Sequence, residues 1–391
     1  VRNLTILSSG GDGVYVGSGA EDVVLDCSGK GGLILANAGA SLRGVTFRNY
    51  QTAQSAPVLY LKSGTASDIV VSGGGVALKG GECVYIGELA EVENLVVTNH
   101  RARAVNAVGG TLRKALIRDC QAGSSPVVST SKSTHDIGSA LEDVEVRACR
   151  TTSAVIFELG YCDAARCTFA GNTNANRNAN CVSLGSSRLS DCRIVRNSAL
   201  CAVAIVTEWM TSYSVWLRNC LVAENQTTSR AAVTVPTTCQ YFLLENCTVI
   251  GNAADTAPAG GTQLAYSSYA NHLKMVNCII WGNTTGGAPA DVAPGGNDFI
   301  YQNCCFREAA DEVFVTSASC KDNLACDAGV KRNGKLRRLS PCRDAGQVLS
   351  WHATGHDIDG NPRVLDAEKG GRVDIGCYEN PPGPGLRVLV R

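Results

Sequence analysis

What the sequence lacks narrows its function first. Neither sign of charge prevails: 35 Lys and Arg balance 35 Asp and Glu, and charged residues make up only 18% of the 391. They are dispersed, with no Lys/Arg-rich run, so neither nucleic acid nor an anionic membrane is an expected partner. No apolar run approaches the roughly 18 residues that a spanning helix requires, so no transmembrane segment is expected. Glycine patterns that cradle phosphates are missing too. GGDG at 10–13 and GTASDIVVSGGG at 64–75 read as turns, outside any P-loop or dinucleotide context. No Cys-x-x-Cys pair has zinc spacing. The chain opens at Val1 without a charged-then-apolar leader, so it is expected to be a mature or excised portion, and NPPGPGLRVLVR at 380–391 reads as a linker or tail.

What is abundant is glycine, 42 residues of it, with many Ser, Thr and Asn, a composition that favours short strands and turns over helices. One nine-residue pattern recurs. LENCTVIGN (244–252) is echoed by AARCTFAGN (164–172), LSDCRIVRN (189–197), LRNCLVAEN (217–225), MVNCIIWGN (275–283) and the partial YQNCCF (301–306). Looser copies stand earlier, from LRGVTFRN (42–49) to LEDVEVRAC (141–149). Aligned on Cys247, the repeats place Val45, Ile69, Leu95, Ala115, Val144, Cys167, Cys192, Cys220, Cys247, Cys278 and Cys304 in one column, with steps of 20 to 31 residues. Such a period marks a supersecondary unit stacked on its neighbours. The regular leucine frame and helical return of leucine-rich repeats are absent.

The pattern therefore predicts an all-β chain, a right-handed parallel β-helix of about eleven rungs, on the order of 50 Å long. Within each copy, strand parity turns Cys247 and Val249 inward and Thr248 outward. Two asparagine columns flank the strand, Asn172, Asn197, Asn225, Asn252 and Asn283 on one side and Asn219, Asn246, Asn277 and Asn303, with Asp191, on the other. Both are expected to form bends, since Asn tolerates the left-handed conformation and its amide can bond to the next Asn.

Nineteen cysteines leave at least one unpaired within a monomer. Cys167, Cys192, Cys220, Cys247, Cys278 and Cys304 are expected to be a column of reduced, buried thiols. Side chains in register run parallel, which holds Cβ atoms farther apart than a disulfide favours. Cys120 and Cys149 fall where other copies have the bend Asn. Cys320 and Cys326 close a short loop and are disulfide candidates.

After Cys305 the period fades into LSPCRDAGQ (339–347), GHDIDGNPRVLD (355–366) and GRVDIGCYE (371–379). With the C-T-[IV]-x-x-N character of the rungs, these resemble the closing segments of secreted bacterial right-handed parallel β-helix proteins of the pectate-lyase-like superfamily. The matches are Ser340 and Pro341, Asp344 to Gly346, Asp357, Asp359 to Arg363, Val373 to Gly376, and Tyr378 with Glu379. The resemblance spans roughly residues 40–380 and implies β-helix repeats over 1–306 and a C-terminal capping section over 307–380. It also implies an extracellular or cell-surface location. Where that family has small residues this chain has Cys342 and Cys377, which implies a disulfide between them. The family's lead-in survives only as Asp311 to Val315. Its fold serves pectate lyases, polygalacturonases, epimerases and adhesins alike, so it names no activity.

Chemistry-bearing residues are few. A glycoside hydrolase needs two carboxylates roughly 5–9.5 Å apart, and a lyase of this fold needs an acidic calcium site beside a basic residue. The enzyme reading would rest on Glu158, Asp163 and Glu208. Asp357, Asp359 and Asn361 have the alternating oxygen spacing of a calcium loop, or form a hydrogen-bonded turn buttressed by Arg363. No cofactor is required by the pattern; calcium is the one the spacing admits. His352 and His356 would suit zinc only on a helix face, and no helix is indicated there. Trp209, Tyr213, Trp216, Tyr266 and Tyr269 lie in variable segments, where aromatic rings could stack on sugars. Two functions follow from different classes: a non-catalytic surface protein for adhesion or glycan binding, or a polysaccharide lyase or hydrolase. A self-associating structural rod is the third.

Overall fold

The computed structural model describes residues 41–50, 57–74, 82–176, 179–205, 215–235, 242–257, 259–264, 273–293, 299–364 and 371–380, with five short strands ahead of residue 41. Thirty-two strands join one continuous parallel sheet that winds into a β-solenoid, and seven two-residue strands form a second sheet. One coil shows the plan: Phe242–Glu245, Thr248–Ile250, Ala253–Ala254 and Thr262–Leu264. The register of the second strand passes without a break from Thr168 to Arg193, Leu221, Thr248, Ile279 and Cys305. Among the described residues the short third strand runs from Arg150–Thr151 to Thr284–Thr285, so complete turns are fewer there than the eleven expected. Earlier rungs, Leu59–Gly74 and Glu82–Thr98, run around the corners as single long strands.

The two asparagine columns do different work. Asn219, Asn246, Asn277 and Asn303 take φ of 49–54°, as does their column upstream at Asp191, Arg166, Asp143 and Lys114 (φ 51–57°). A left-handed backbone costs most L-residues about 1–2 kcal/mol, and Asn and Asp least. In the other column the bend falls one residue earlier, on Gly171, Arg196, Glu224, Gly251 and Gly282. The following Asn turns inward and is buried. Asn197 Oδ1 accepts from the backbone N–H and the amide of Asn172 at 2.9 and 3.0 Å, while Asn172 Nδ2 donates to Val146 O at 3.0 Å. The pattern repeats through Asn225, Asn252 and Asn283 and ends on Asp291 Oδ1. The inner column thus supplies the corner backbone with partners that no water can reach.

The six-cysteine column lies in the interior as fully buried free thiols. Each Sγ donates to backbone carbonyls, as Cys220 does to Arg218 O at 3.3 Å, and burial pushes Cys220 and Cys278 well above the ordinary thiol range. The core closes at its C-terminal end on the four-residue helix Glu312–Val315. Its Phe314 ring packs 4.9–5.4 Å from Phe306, Phe299 and Tyr301.

Beyond that plug the chain doubles back as a strap along the outside. Its anchors are the second asparagine column. Asn303 donates to Ala345 O, Asn277 exchanges two bonds with Gln347, Asn246 Oδ1 accepts from His352 Nε2 at 2.9 Å, and Asn219 Oδ1 accepts from Arg363 Nε at 3.1 Å. The strap reaches Arg193, which donates to Ile358 O and pairs with Asp359 at 2.8 Å. Under it lies a second hydrophobic core made of outward-facing solenoid residues, Leu221, Ala223, Ile250, Ile279 and Cys305, with Leu336, Cys342, Ile358, Ile375 and Tyr378 from the strap. Gly376 permits the close approach, since a Cβ there would stand 2.7 Å from Thr248 Oγ1 and its φ is 99°.

Candidate functional site

Where the strap ends its return, it leaves a groove of about 630 Å³ against the solenoid. One wall is the first strand and its corner in three successive coils: Arg166, Ser190, Asp191, Trp216, Arg218 and Asn219. The other is Trp351 and the strap turn 355–360. Trp216 points out because Val215 and Leu217, on either side of it, are buried inside the coil. Arg218, two residues on, points out with it. Its guanidinium lies between two indoles, 4.7 Å from the Trp216 centroid and 4.6 Å from that of Trp351. Glu245 on the next coil holds it with contacts of 3.0 and 2.8 Å. The result is an aromatic surface fixed in orientation by a cation sandwiched within it.

Three polar features border that surface. Asp191 hydrogen-bonds Asn219 Nδ2 at 3.0 Å, and partial burial pushes its carboxyl above the usual range. Arg166 is tied back to Asp143 at 2.8 Å and to Glu142. The Trp351 indole N–H is buried and, among the described residues, has no hydrogen-bond partner. Behind Trp351, His352 is buried at a ring distance of 4.2 Å, and burial lowers its imidazole to about 4, so it is neutral across the ordinary pH range. The groove's size and lining, flat apolar surface with a few fixed polar groups, suit a small ligand.

Of the aromatic residues expected to stack on sugars, Trp216 lines this groove. Trp209, Tyr213, Tyr266 and Tyr269 lie outside the described residues, as does Glu208. Glu158 and Asp163 do not come together. Glu158 is exposed on Val155–Gly160 between Ser129 and Ser183, whereas Asp163 lies past the Tyr161 corner on another face, 3.9 Å from Arg188. Parity alone could not show that a corner separates them.

The calcium spacing becomes a turn. Asp357 Oδ1 accepts from the N–H groups of Asp359 and Asn361, and Oδ2 from Asn361 Nδ2 and Glu379 N. Asp359 is committed to Arg193 and Lys335. Among the described residues no three His, Cys, Asp or Glu side chains gather as a metal site. The three closing segments instead meet in one buried knot. Asp374 accepts from Asp344 N, and Arg363 donates to Asn219, Gly376 O and Glu379.

The disulfide expectations are corrected. Cys342 and Cys377 are both free and buried: Cys342 O accepts from Ile375 N, but two residues later Cys377 turns down to Thr248, its N–H donating to Oγ1 at 3.0 Å. Cys320 and Cys326 are free as well, the first packed on the inner core and the second exposed. Arg218, Trp351, Asp191 and Arg166 escaped the sequence reading. Only Asp191, the acid next in line to four asparagines, carried a visible signal.

No protein-family model matches this chain, and no curated protein matches it. Among solved structures it resembles the A-module of a mannuronan C-5 epimerase from Azotobacter vinelandii, at 10% identity and a TM-score of 0.39 over 74% of this chain and 91% of that one. It also resembles a pectate lyase, at 11% identity and a TM-score of 0.38 over 94% and 89%. Among the described residues no helix is long and apolar enough to cross a membrane.

Proposed function

We propose that this chain is an extracellular or cell-surface β-solenoid that binds saccharide in the groove between its first face and the strap. The observation that carries this reading is the pair of indoles, Trp216 and Trp351, locked about the Arg218 guanidinium. Sugar rings bring apolar C–H faces for the indoles and hydroxyls for Arg166 and Asp191. Because the rings are already fixed, little side-chain entropy is lost on binding.

A second reading, a polysaccharide-active enzyme, is favoured by one fact: Asp191 is a partly buried carboxyl with a raised pKa, and such groups serve as proton donors or acceptors. It stands without a second free carboxylate, since Asp357 is saturated and Asp359 is paired. A glycan array, followed by product analysis on every hit, decides between the two. Binding without cleavage, weakened at least tenfold by Trp351→Ala, supports the first. Cleaved products that disappear in Asp191→Asn support the second. Undiminished binding in both Trp216→Ala and Trp351→Ala would remove the groove from either.

A further inference from the structure

Three of the thiols outside the inner column gather where the strap meets the last coil. Cys305 is the outward residue of the last coil, fully buried in the second core. Cys342, on the strap, is buried in the same core, and its side chain interacts with that of Cys305. Cys326 is exposed, the one thiol so placed among the described residues, and it too interacts with Cys305, whose Sγ donates to Cys326 O at 3.3 Å. Cys305 is therefore central, with a buried neighbour on one side and an exposed one on the other.

The column thiols differ in kind. Their strands stack in parallel register about 4.8 Å apart, so their Cβ atoms stay near that spacing, beyond the roughly 3.5–4.5 Å of a disulfide. Cys305 and Cys342 come from different elements and approach across a packed interface, where no shared register holds them apart.

We propose that Cys326, Cys305 and Cys342 form a thiol relay that closes a Cys305–Cys342 disulfide and so fastens the strap to the last coil. The oxidant is a small-molecule disulfide. Cys326 attacks one of its sulfurs and expels one thiol, giving a mixed disulfide on the surface. Cys305 attacks the Cys326 sulfur and expels the second small thiol. Cys342 then attacks Cys305, and Cys326 leaves as a free thiol. The two protons lost by Cys305 and Cys342 are taken up by the two released thiolates, so one external disulfide becomes two thiols and the protein gains one crosslink. Burial holds the Cys326 thiol above its ordinary range, with Cys305 and Asp327 adding to the effect, so the first exchange is slow at neutral pH and faster in mildly alkaline buffer. The relay stands on the placement of the thiols and is independent of the saccharide reading.

The test uses the full chain, reduced and then treated with oxidised glutathione, with remaining thiols alkylated and the peptides mapped by mass spectrometry. The expected product is a single Cys305–Cys342 crosslink, with the column thiols modified only after denaturation. Cys326→Ser, a change at an exposed site, should yield the same crosslink about tenfold more slowly or worse. Cys342→Ser should stop at Cys305–Cys326 or at the mixed disulfide. A crosslink from Cys342 to Cys377, a glutathione adduct persisting on Cys326 of the unsubstituted chain, or an undiminished rate in Cys326→Ser would each overturn the relay.

Discussion

At matching outward positions of one face, the early and late coils carry opposite chemistry. Arg118, Glu145 and Arg147 are at least partly exposed, and Arg147 and Glu145 pair at 3.2 Å. In register with them, Leu221, Ala223, Ile250 and Ile279 are buried. The strand register is continuous and the inward residues are alike; what covers the face differs. Early coils meet water with ions, which exposed pairing stabilises by at most about 1 kcal/mol. Late coils meet protein, and the face becomes a second core. A solenoid face thus records, residue by residue, what covers it.

The largest effect on this contrast should come from Arg363, fully buried where strap and solenoid meet. Arg363→Met leaves Asn219 Oδ1, Gly376 O and Glu379 without their donor, at a cost of about 3 kcal/mol or more. Limited proteolysis should then cut within 324–380 while the coils stay intact; a strap as resistant as before would mean the knot contributes little. Next, Ile279→Ala should loosen the strap by about 2–4 kcal/mol, seen as faster amide exchange at 373–377. Arg147→Ala, in the same column of coils, should change stability by less than about 0.5 kcal/mol by denaturant titration. If the two substitutions cost the same, the contrast between the regions fails.

The knot should also answer to pH. Burial, with Asp374 nearby, pushes Glu379 up to about 8 from an ordinary 4.5 despite Arg363. The folded strap therefore holds a proton that the released strap gives up. That contribution is complete below about pH 4.5 and is lost as pH rises through about 8. Strap protection against amide exchange, corrected for intrinsic rates, should be weaker at the alkaline end of that window than at the acidic end. Glu379→Gln should flatten the slope; an unchanged slope would assign it to another group.

How much of this was legible in the sequence depends on the link. The solenoid was, because Cys247, Val249 and their equivalents repeat with a parity that only stacked strands satisfy. The inner asparagine column was visible as a column, but its role was not, since sequence does not tell a residue at a bend from one just after it. The strap's course was written in LVA at 221–223 and IIW at 279–281, where three successive apolar residues replace the expected alternation. That signal marks a covered face but does not say which segment covers it. The groove was the least legible part. Trp216 and Trp351 lie 135 positions apart in the chain, and only the return of the strap brings them to one cation.

The strap's direction also fixes an order of events during synthesis. The coils from Leu221 to Cys305 leave the ribosome before any of the residues that will cover Leu221, Ile250 and Ile279. At bacterial to eukaryotic elongation rates of about 5–20 residues per second, the roughly 70 residues that follow take about 4–15 s to appear. For that interval the nascent rod carries a bare apolar stripe along one side and an open β-edge at its growing end. A second nascent chain on the same message would present the same stripe. The emergence of the strap is therefore what ends the period in which these coils are most prone to aggregate.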